Sequence, residues 1–341
     1  MPTKVLVVGG AGFIGSHMTL LLRKNGYETF ILDNFQTGFV EAAFGNFIKG
    51  DLKDQKIVRQ LFADHKFDAV FHFAASTAVG ESVVKPHDYY RNNVVGSLNL
   101  LDCMIEFGIK KLVFSSTAAV YGEPEAVPID ESHKKMPCNP YGQTKLIIEK
   151  VLADYEKAFD LRSIIFRYFN AAGSDPDGFT GERRNPVSHL IPIVLEVAQG
   201  KREYLELYGD DYSTRDGSCV RDFIHVTDLC QAHLLGLERL VKGGQSACYN
   251  LGSGTGYTVL EVVDSARRIT GRAIPIKIGN RRVGDCEKLV ANSEKAKREL
   301  GWEPKYSDLE SMIAHTWNWM EQAQIDTTFL KERCDALESL V

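Results

Sequence analysis

Short apolar runs alternate with longer segments of helical periodicity along the first half of the chain. The runs are rich in Val, Ile and Phe and cover residues 5–8, 29–32, 69–73, 111–114 and 163–167. In the segments between them, apolar residues recur at helical spacing. Such alternation predicts right-handed β–α–β units whose strands form one parallel sheet. We therefore predict an α/β fold built on a Rossmann-like, doubly wound parallel sheet.

The strand–helix rhythm breaks near residue 171. There the segment AAGSDPDGFTGERRNP is rich in glycine, proline and charge, which indicates a loop or a domain junction. We predict a first domain over 1–171, a smaller α+β domain over 172–325, and a C-terminal tail over 326–341 to which no chemistry can be assigned. The segment CVRDFIHVTDL predicts one more strand, so residues 220–250 are expected to return to the first domain.

Composition and charge exclude several classes of partner. The net charge of -5 is mild, and no run of lysine or arginine is long enough to favour nucleic acid or an acidic membrane. The apolar stretch in MPTKVLVVGGAGFIG is too short to span a bilayer, and we interpret it as a first strand. The seven cysteines are scattered, odd in number and without C-x-x-C spacing, so we expect no disulfide framework, no metal site and a reducing cytoplasmic location.

A glycine-rich turn follows the first predicted strand directly. Residues 9–15 form the sequence GGAGFIG, with Gly9, Gly12 and Gly15 at three-residue spacing. Glycine lets the backbone turn tightly and approach a pyrophosphate, whose charge then lies at the N-terminus of the following helix. A tight turn without a ligand is the structural alternative. The position between a strand and a helix favours dinucleotide binding.

An acidic residue ends the second predicted strand, about 20 residues after the glycines. A carboxylate at Asp33 is placed to accept hydrogen bonds from an adenosine ribose and to repel a 2′-phosphate, which favours NAD over NADP. The alternative is a turn-forming acid before Asn34. Asp51 and Leu52 follow a third strand and are candidates for the adenine edge, with a solvated turn as their alternative.

One tyrosine has a lysine four residues later. Tyr141 and Lys145 lie in NPYGQTKLIIEKVL, which has helical spacing from Gln143 onward, so the two side chains share a helix face. An ammonium beside a phenol lowers the pKa of the phenol, which lets Tyr141 act as a base. A surface ion-pair-like spacing is the alternative. Residues 115–117, SST, end the preceding strand, and their hydroxyls are expected to face the same crevice.

Seven segments in this order resemble the extended short-chain dehydrogenase/reductase family over nearly the whole chain: GGAGFIG, LDNF, GDL, HFAA, SSTAAVYG, PYGQTK and RYFNAAG. The strings DYSTRDGSCVRDFIHVTDL and RRVGD narrow the resemblance to members that invert the C4 hydroxyl of a UDP-linked sugar. The resemblance implies that Thr117 and Tyr141 handle the proton and that Lys145 supports them. It implies an NAD site formed by Gly9, Gly12, Phe13, Ile14, Gly15, Asp33, Asn34, Asp51, Leu52, Phe73, Ala74, Ala75, Asn92, Ser115, Tyr141, Lys145 and Tyr168.

The same resemblance implies a nucleotide-sugar site. Its members, besides Thr117 and Tyr141, are Asn170, Leu190, Tyr208, Arg221, Arg282, Asp285 and Leu289. Arginines suit a diphosphate because the guanidinium donates two charge-assisted hydrogen bonds at once. Each position has a structural alternative: a strand-end turn for Asn170, a core position for Tyr208, and an ion pair for Arg221 with Asp285.

The sequence departs from its relatives in one loop and has a medium-sized residue at a selective position. Ser76 and Thr77 stand where many relatives have a lysine, which removes a cation from the expected cofactor site. Leu289 stands where the size of the side chain is associated with excluding or admitting an N-acetyl group. We therefore expect UDP-glucose and UDP-galactose as substrates, interconverted through a 4-keto sugar.

The same residues leave three alternative functions open, count against a fourth, and imply a homodimer. A UDP-pentose 4-epimerase and an epimerase that also accepts UDP-N-acetylhexosamines share the chemistry, and a non-catalytic NAD-bound scaffold shares the fold. A 4,6-dehydratase needs an Asp-Glu pair after Thr117, where this chain has Ala118 and Ala119. The resemblance also implies a homodimer through helices near 93–107 and 146–155, with burial against their own sheet as the alternative.

Overall fold

The computed structural model describes residues 3–183, 187–282 and 286–322. The strands are, in chain order, β1 (Lys4–Val8), β2 (Glu28–Asp33), β3 (Asn46–Lys49), β4 (Ala69–His72), β5 (Lys111–Ser115), β6 (Arg162–Tyr168), β7 (Asn170–Ala172), β8 (Leu205–Tyr208), β9 (Val220–Arg221), β10 (Phe223–His225), β11 (Ala247–Leu251), β12 (Tyr257–Thr258), β13 (Ile276–Gly279) and β14 (Lys288–Leu289). The predicted tail over 326–341 lies outside the described residues.

Helices connect most of these strands. They are, in chain order, α1 (Phe13–Lys24), α2 (Gln55–Asp64), α3 (Val79–Val84), α4 (Pro86–Tyr89), α5 (Gly96–Glu106), α6 (Pro140–Phe159), α7 (Leu190–Ala198), α8 (Val226–Val241), α9 (Val259–Thr270), α10 (Glu294–Leu300) and α11 (Leu309–Gln322). A π-helical turn, Tyr90–Val95, joins α4 to α5, and short 3-10 turns cover Val40–Ala42 and Ala118–Val120.

The central sheet confirms the predicted doubly wound α/β fold. Its strand order is β11-β6-β5-β4-β1-β2-β3, and every pairing in it is parallel. The order reverses direction between β1 and β4, so a crevice opens at the carboxyl ends of these two strands. The five strands predicted from apolar runs correspond to β1, β2, β4, β5 and β6.

The inner strands of this sheet are buried on both faces, which explains why they are continuous apolar runs. Val5 and Val7 of β1 point to a core shared with α1 and α8, whereas Leu6 and Val8 point to a core shared with α2, α5 and α6. Since side chains alternate across a strand, four consecutive apolar residues supply both cores at once. The helices are therefore held at fixed positions against the two faces of the sheet.

The chain leaves this sheet after β6 and later returns to it. The segment CVRDFIHVTDL forms β9, β10 and the start of α8, and the His225 side chain caps α8 by accepting a hydrogen bond from the amide of Thr227 at 3.1 Å. After α8, β11 pairs with β6 and completes one edge of the central sheet. A third core, with Val194, Leu195 and Val262 among its buried residues, lies between α7, α9 and α11.

The described part of the chain contains neither a membrane-length helix nor a metal-binding cluster. No helix within the described ranges is long and apolar enough to cross a bilayer. Among the same residues, no three His, Cys, Asp or Glu side chains are grouped so that they could hold a metal ion. Six cysteines lie in the described ranges as free thiols, and Cys103, Cys219 and Cys230 are buried.

Candidate active site

The glycine-rich turn lies at the carboxyl end of β1 and opens α1. Gly9 has a φ of 80°, and a Cβ atom there would lie 2.6 Å from the amide nitrogen of Ala74. A Cβ atom at Gly15 would lie 2.1 Å from the carbonyl oxygen of Gly9. The protein itself therefore requires glycine at both positions.

Gly12 differs from these two glycines. Its φ is -80°, and a Cβ atom there would meet only the carbonyl oxygen of Gly9, at 3.4 Å, an ordinary contact distance. Gly12 immediately precedes the first turn of α1, which contains Phe13 and Ile14 and no acidic residue. The absent side chain leaves a cradle at a helix N-terminus, which fits the pyrophosphate of a dinucleotide.

Asp33 ties the glycine-rich turn to β2. Its carboxylate accepts hydrogen bonds from the amides of Phe35 at 2.8 Å and Ala11 at 3.0 Å. Burial raises the pKa of Asp33, although these amides pull the pKa in the opposite direction. The hydrogen bond from Phe35 forms the turn that was predicted as the structural alternative for Asp33. The hydrogen bond from Ala11 holds the carboxylate beside the cradle at Gly12. The two interpretations of Asp33 are compatible.

Asp51 and Asn34 meet beside the same crevice. The Asn34 amide donates to Asp51 at 3.0 Å, and the amide of Lys53 donates to the other oxygen of Asp51 at 2.8 Å. Burial favours the neutral acid, but these hydrogen bonds outweigh it and lower the pKa of Asp51. Leu52 is buried against α5. The pair therefore offers a charged, fixed edge to a ligand.

The loop after β4 carries the next predicted cofactor residues. The amides of Phe73 and Ala74 donate to the carbonyl oxygen of Val8, which places residues 73–75 beside the glycine-rich turn. In the π-helical turn, Asn92 donates to the Ser76 hydroxyl at 3.1 Å. The next residue, Asn93, accepts from the Ser76 amide at 2.8 Å and donates to Thr144 of α6 at 3.0 Å. Sequence reasoning missed Asn93, because a π-helical turn has no simple periodic signal.

Tyr141 and Lys145 lie in the first turns of α6. The helix begins at Pro140, earlier than predicted, because the Asn139 side chain caps it by accepting from the amide of Gly142 at 2.9 Å. Lys145 is 3% exposed and donates to the carbonyl oxygen of Ser115 at 2.8 Å. Tyr141, one turn earlier, is 8% exposed. This burial excludes the surface-pair alternative.

The environment of Lys145 perturbs its charge. Burial lowers the pKa of Lys145 to about 7, and the carboxylate of Glu149 acts in the opposite direction. An ammonium with a pKa in this range exchanges its proton near neutral pH. Lys145 is therefore a group whose charge its neighbours control.

Two hydroxyl groups at the end of β5 have different roles available to them. Ser115 shares a hydrogen bond of 2.6 Å with the hydroxyl of Tyr168, and burial raises the pKa of Tyr168, with the neighbouring Tyr141 acting in the same direction. Tyr168 therefore stays a neutral phenol. Thr117 is 8% exposed, and its hydroxyl oxygen accepts from the amide of Ala119 at 3.1 Å. The Thr117 hydroxyl is therefore able to donate its own proton to a ligand.

The predicted sugar-nucleotide residues come from the second region of the chain. Arg221 of β9 lies in register with Leu289 of β14, and Arg221 donates to the carbonyl oxygen of Val220 at 2.9 Å. Leu289 packs against a cluster that includes Leu146 of α6. These contacts bring Leu289 towards α6 and place Arg221 on the adjacent strand.

The remaining members of that set lie on other elements. The guanidinium of Arg282 lies 3.9 Å from the ring centroid of Tyr208, so these two are together. The Asn170 side chain donates to the carbonyl oxygen of Asp222 at 2.7 Å, which ties β7 to β10. Leu190 is the first residue of α7. Asp285 lies outside the described residues.

A cleft beside the glycine-rich turn contains charged residues that sequence reasoning missed. Its lining includes Gly12 and Phe13 on one side and Glu182 and Arg183 on the other. The Arg183 guanidinium lies 5.2 Å from the ring of Trp319, on α11. Glu182 and Arg183 were visible in the sequence as charged residues, but nothing there indicated that they line this cleft.

Comparisons with known proteins point to one group of enzymes. The family model described as GDP-mannose 4,6 dehydratase matches residues 6–316. The UDP-glucose 4-epimerase of Halalkalibacterium halodurans is 52% identical over 319 residues, which cover 93% of this chain and 96% of the relative. The crystal structure of UDP-glucose 4-epimerase from Brucella ovis in complex with NAD matches with a TM-score of 0.91 and 47% identity, covering 93% of this chain and 98% of that one.

A further structure extends the match to a nucleotide-bound relative. UDP-glucose 4-epimerase from Bifidobacterium longum in complex with NAD+ and UDP matches with a TM-score of 0.89 and 38% identity, covering 94% of this chain and 99% of that one. The family model covers most of the chain, and the individual proteins narrow the assignment. The chain therefore belongs to the broad family that this model describes and, within it, to the UDP-glucose 4-epimerases.

Proposed function

We propose that this protein interconverts UDP-glucose and UDP-galactose by inverting C4 through a 4-keto sugar, with NAD as its cofactor. The observation that carries the proposal is the buried Lys145 on the same helix face as Tyr141, beside the Thr117 strand end. Relatives of known structure carry NAD, and one of them carries UDP as well. This chain has a glycine-rich turn before α1 and a crevice at the switch point of its sheet, where doubly wound folds bind dinucleotides.

The NAD site fits the residues present. The cradle at Gly12 and the N-terminus of α1 would hold the pyrophosphate, and Asp33 would accept from the adenosine ribose. Asn92, Ser115 and the loop over 73–75 would lie along the rest of the cofactor. NAD in this place supplies the oxidation at C4 and the reduction that reverses it.

The chain's own residues manage the proton and hold the substrate. Tyr141, as a phenolate, takes the C4 hydroxyl proton directly or through Thr117, and later returns it. Lys145 stabilises the phenolate, while Tyr168 stays neutral and orients Ser115. Arg221 and Arg282 would clamp the diphosphate while the planar 4-keto sugar swings to present its other face.

Two observations favour this reaction over its neighbours. Thr117 is followed by Ala118 and Ala119, whose side chains carry no acid or base for the elimination that a 4,6-dehydratase performs. Leu289 is packed against the Leu146 cluster, so it has limited freedom to move aside for an N-acetyl group. We therefore place epimerisation ahead of dehydration, and non-acetylated sugars ahead of N-acetylhexosamines.

Product analysis tests the function directly. The purified protein would be incubated with UDP-galactose and, separately, with UDP-N-acetylgalactosamine, with and without added NAD, and the sugars identified by NMR. We expect UDP-glucose from the first and no product from the second. Formation of UDP-N-acetylglucosamine from the second substrate would show that Leu289 does not exclude the acetyl group. If neither forms with NAD supplied, UDP-xylose and UDP-arabinose become the substrates to test, and the scaffold alternative gains weight.

Asp33 is expected to set the cofactor preference. Replacing Asp33 by Asn keeps the side-chain size but removes the charge that repels a 2′-phosphate, so the ratio of NADP to NAD affinity should rise about tenfold. Equilibrium binding of both cofactors measures this ratio. Asp51→Asn is the matched control, because a charge near the adenine edge acts equally on both cofactors. An unchanged ratio in Asp33→Asn would remove Asp33 from the ribose site.

We also propose a homodimer formed through α5 and α6. Val95 is 46% exposed at the start of α5, and Leu98, Ile147 and Val151 are only half-buried on the same pair of helices. The double substitution Val95→Glu and Leu98→Glu should shift the mass in sedimentation from dimer to monomer. Ile278→Glu, at an exposed apolar site on β13, should leave the mass unchanged. A wild-type monomer at micromolar concentration would contradict the proposal.

Two coarser features complete the proposal. We divide the chain into an NAD-binding domain over 1–171 joined by the returning segment near 220–250, and a mainly sugar-nucleotide domain over 172–325. The six thiols in the described ranges are free, which suits a reducing compartment, so we place the protein in the cytoplasm.

A further inference from the structure

A buried carboxylate lies one helical turn beyond the catalytic lysine. Tyr141, Lys145 and Glu149 are spaced at four residues along α6, so all three share one face. Glu149 is 7% exposed and lies against Arg167 of β6, which is 5% exposed. Neither residue belongs to the NAD site or the sugar site described above.

Glu149 is held by three hydrogen bonds. Arg167 donates from Nε to Oε1 at 3.0 Å and from Nη2 to Oε2 at 2.6 Å, which is a bidentate pair. The Ser116 hydroxyl donates to Oε1 at 2.5 Å. Ser116 lies between Ser115, whose carbonyl oxygen accepts from Lys145, and Thr117. The Glu149 carboxylate thus fixes the strand end that carries the acceptor for Lys145 and the Thr117 hydroxyl.

Arg167 is fixed in turn from its other side. Its Nη1 donates to the hydroxyl of Tyr121 at 2.9 Å, and that hydroxyl donates to the side chain of Asn250 at 2.6 Å. Asn250 also donates to the carbonyl oxygen of Ile129 at 2.9 Å. A buried ion pair whose polar atoms are bonded in this way keeps its charges in place.

When Lys145 is protonated, the ionised groups in this region leave one excess positive charge. Arg167 and the Lys145 ammonium are the cations, and Glu149, which pairs with Arg167 and favours the charged form of Lys145, is the anion. The other titratable groups that face them stay neutral: burial lowers the pKa of His72 to about 3, raises the pKa of Cys248 to about 12, and raises those of Tyr168 and Tyr121. Further out, Glu131 and Lys295 carry opposite charges.

We propose that Glu149, held by Arg167, is a positioning residue with two effects. It limits the excess positive charge beside Tyr141 to one, and it fixes Ser116, the residue between Ser115, which binds Lys145, and Thr117. The proposal rests on the proposed function, because it deepens the role of Tyr141 and Lys145. Ionisation of Tyr141 then neutralises the buried group of charges, which favours the phenolate. With a second excess charge, both Tyr141 and Lys145 would lose protons more readily; with none, both would hold them longer.

Three variants separate these cases. Glu149→Gln keeps an acceptor for Ser116 but leaves two excess charges, so both limbs of the pH profile of kcat should move down by about one pH unit or more. Arg167→Gln leaves no excess charge, so both limbs should move up. The double variant Glu149→Gln with Arg167→Gln restores one excess charge, so its profile should return towards that of the wild type.

A second measurement does not depend on turnover. The ultraviolet absorbance of tyrosinate would be followed as pH rises in each variant, with the same titration of a Tyr141→Phe version subtracted. The Tyr141 titration should move in the same directions as the kinetic limbs. If the wild type lacks epimerase activity, the proposed function fails, whereas this titration still tests the charge arrangement.

The matched control is Tyr121→Phe. It removes one hydrogen bond from Arg167 without changing any charge, so it should lower stability and leave both limbs in place. Equal shifts in Tyr121→Phe and the single charge variants would overturn the proposal, and so would a double variant that departs further from the wild type than either single one. If Glu149→Gln does not fold, Arg167→Gln decides alone: an upward shift supports the proposal, and an unchanged or lowered profile overturns it.

Discussion

Replacing Tyr141 by phenylalanine is expected to lower kcat by ~10²–10⁴-fold, the usual contribution of a positioned base. The side chain of Tyr141 is buried, at 8% exposure. The substitution removes only its hydroxyl group, so the packing of the ring is retained. Lys145 keeps its bond to the Ser115 carbonyl oxygen, and the helix keeps its Asn139 cap. The loss therefore falls on proton transfer. UDP-galactose turnover and thermal unfolding, measured on the same preparations, separate chemistry from folding.

Tyr155→Phe is the control for this prediction. Tyr155 lies on the same helix, where its hydroxyl donates to Asp102 at 2.6 Å near the surface. Its loss should change kcat by less than about twofold, because an exposed hydrogen bond contributes little. A Tyr141→Phe protein with wild-type kcat would transfer the role of base to another group, and Thr117 would be the next residue to substitute.

Gly15→Ala is expected to cost about 3 kcal/mol or more of unfolding free energy, beyond ordinary overpacking. The new Cβ atom would lie 2.1 Å from the carbonyl oxygen of Gly9, and the backbone has no flexible side chain there to give way. The turn would have to open, and α1 would shift on the sheet. Urea unfolding measures the loss.

Gly12→Ala is the matched comparison, with the opposite pattern expected. Its Cβ atom makes only an ordinary contact at 3.4 Å, so the unfolding free energy should stay within about 0.5 kcal/mol of the wild type. The methyl group would fill the cradle at the helix N-terminus, so NAD affinity should fall at least about tenfold. Equal stability losses in the two variants, or unchanged NAD binding in Gly12→Ala, would contradict the ligand role of Gly12.

The apolar runs predicted the interior of the central sheet well and its edges poorly. β1, β4 and β5 are buried on both faces, so each is a visible run of apolar residues. β3 lies at the edge with three of its four residues exposed, and its sequence NFIK has no such run. β11, ACYNL, is buried at its carboxyl end, but its pairing with β6 depends on the long excursion between them.

Candidate site residues could be predicted where a short-range spacing was enough. The glycine turn and the pair of Tyr141 with Lys145 each depend on spacing within one segment, and Asp33 depends on its distance of about 20 residues from the glycines. Glu149 was within reach of the same reasoning, because it extends the four-residue spacing by one step. Its partners were not: Arg167 and Ser116 come from two different strands, and only the folded sheet brings them to one carboxylate. Asn93 depends in the same way on a π-helical turn.

The late return of the chain to the sheet has a consequence for synthesis on the ribosome. Until residue 251 has left the exit tunnel, β6 is an unpaired edge and the core beneath α1 lacks α8. A nascent chain that ends near residue 171 therefore holds the complete glycine turn, Tyr141 and Lys145 but exposes apolar surface. A fragment that ends near residue 171 is therefore a poor candidate for separate expression, and we expect the nascent chain to need chaperones until the second region has emerged.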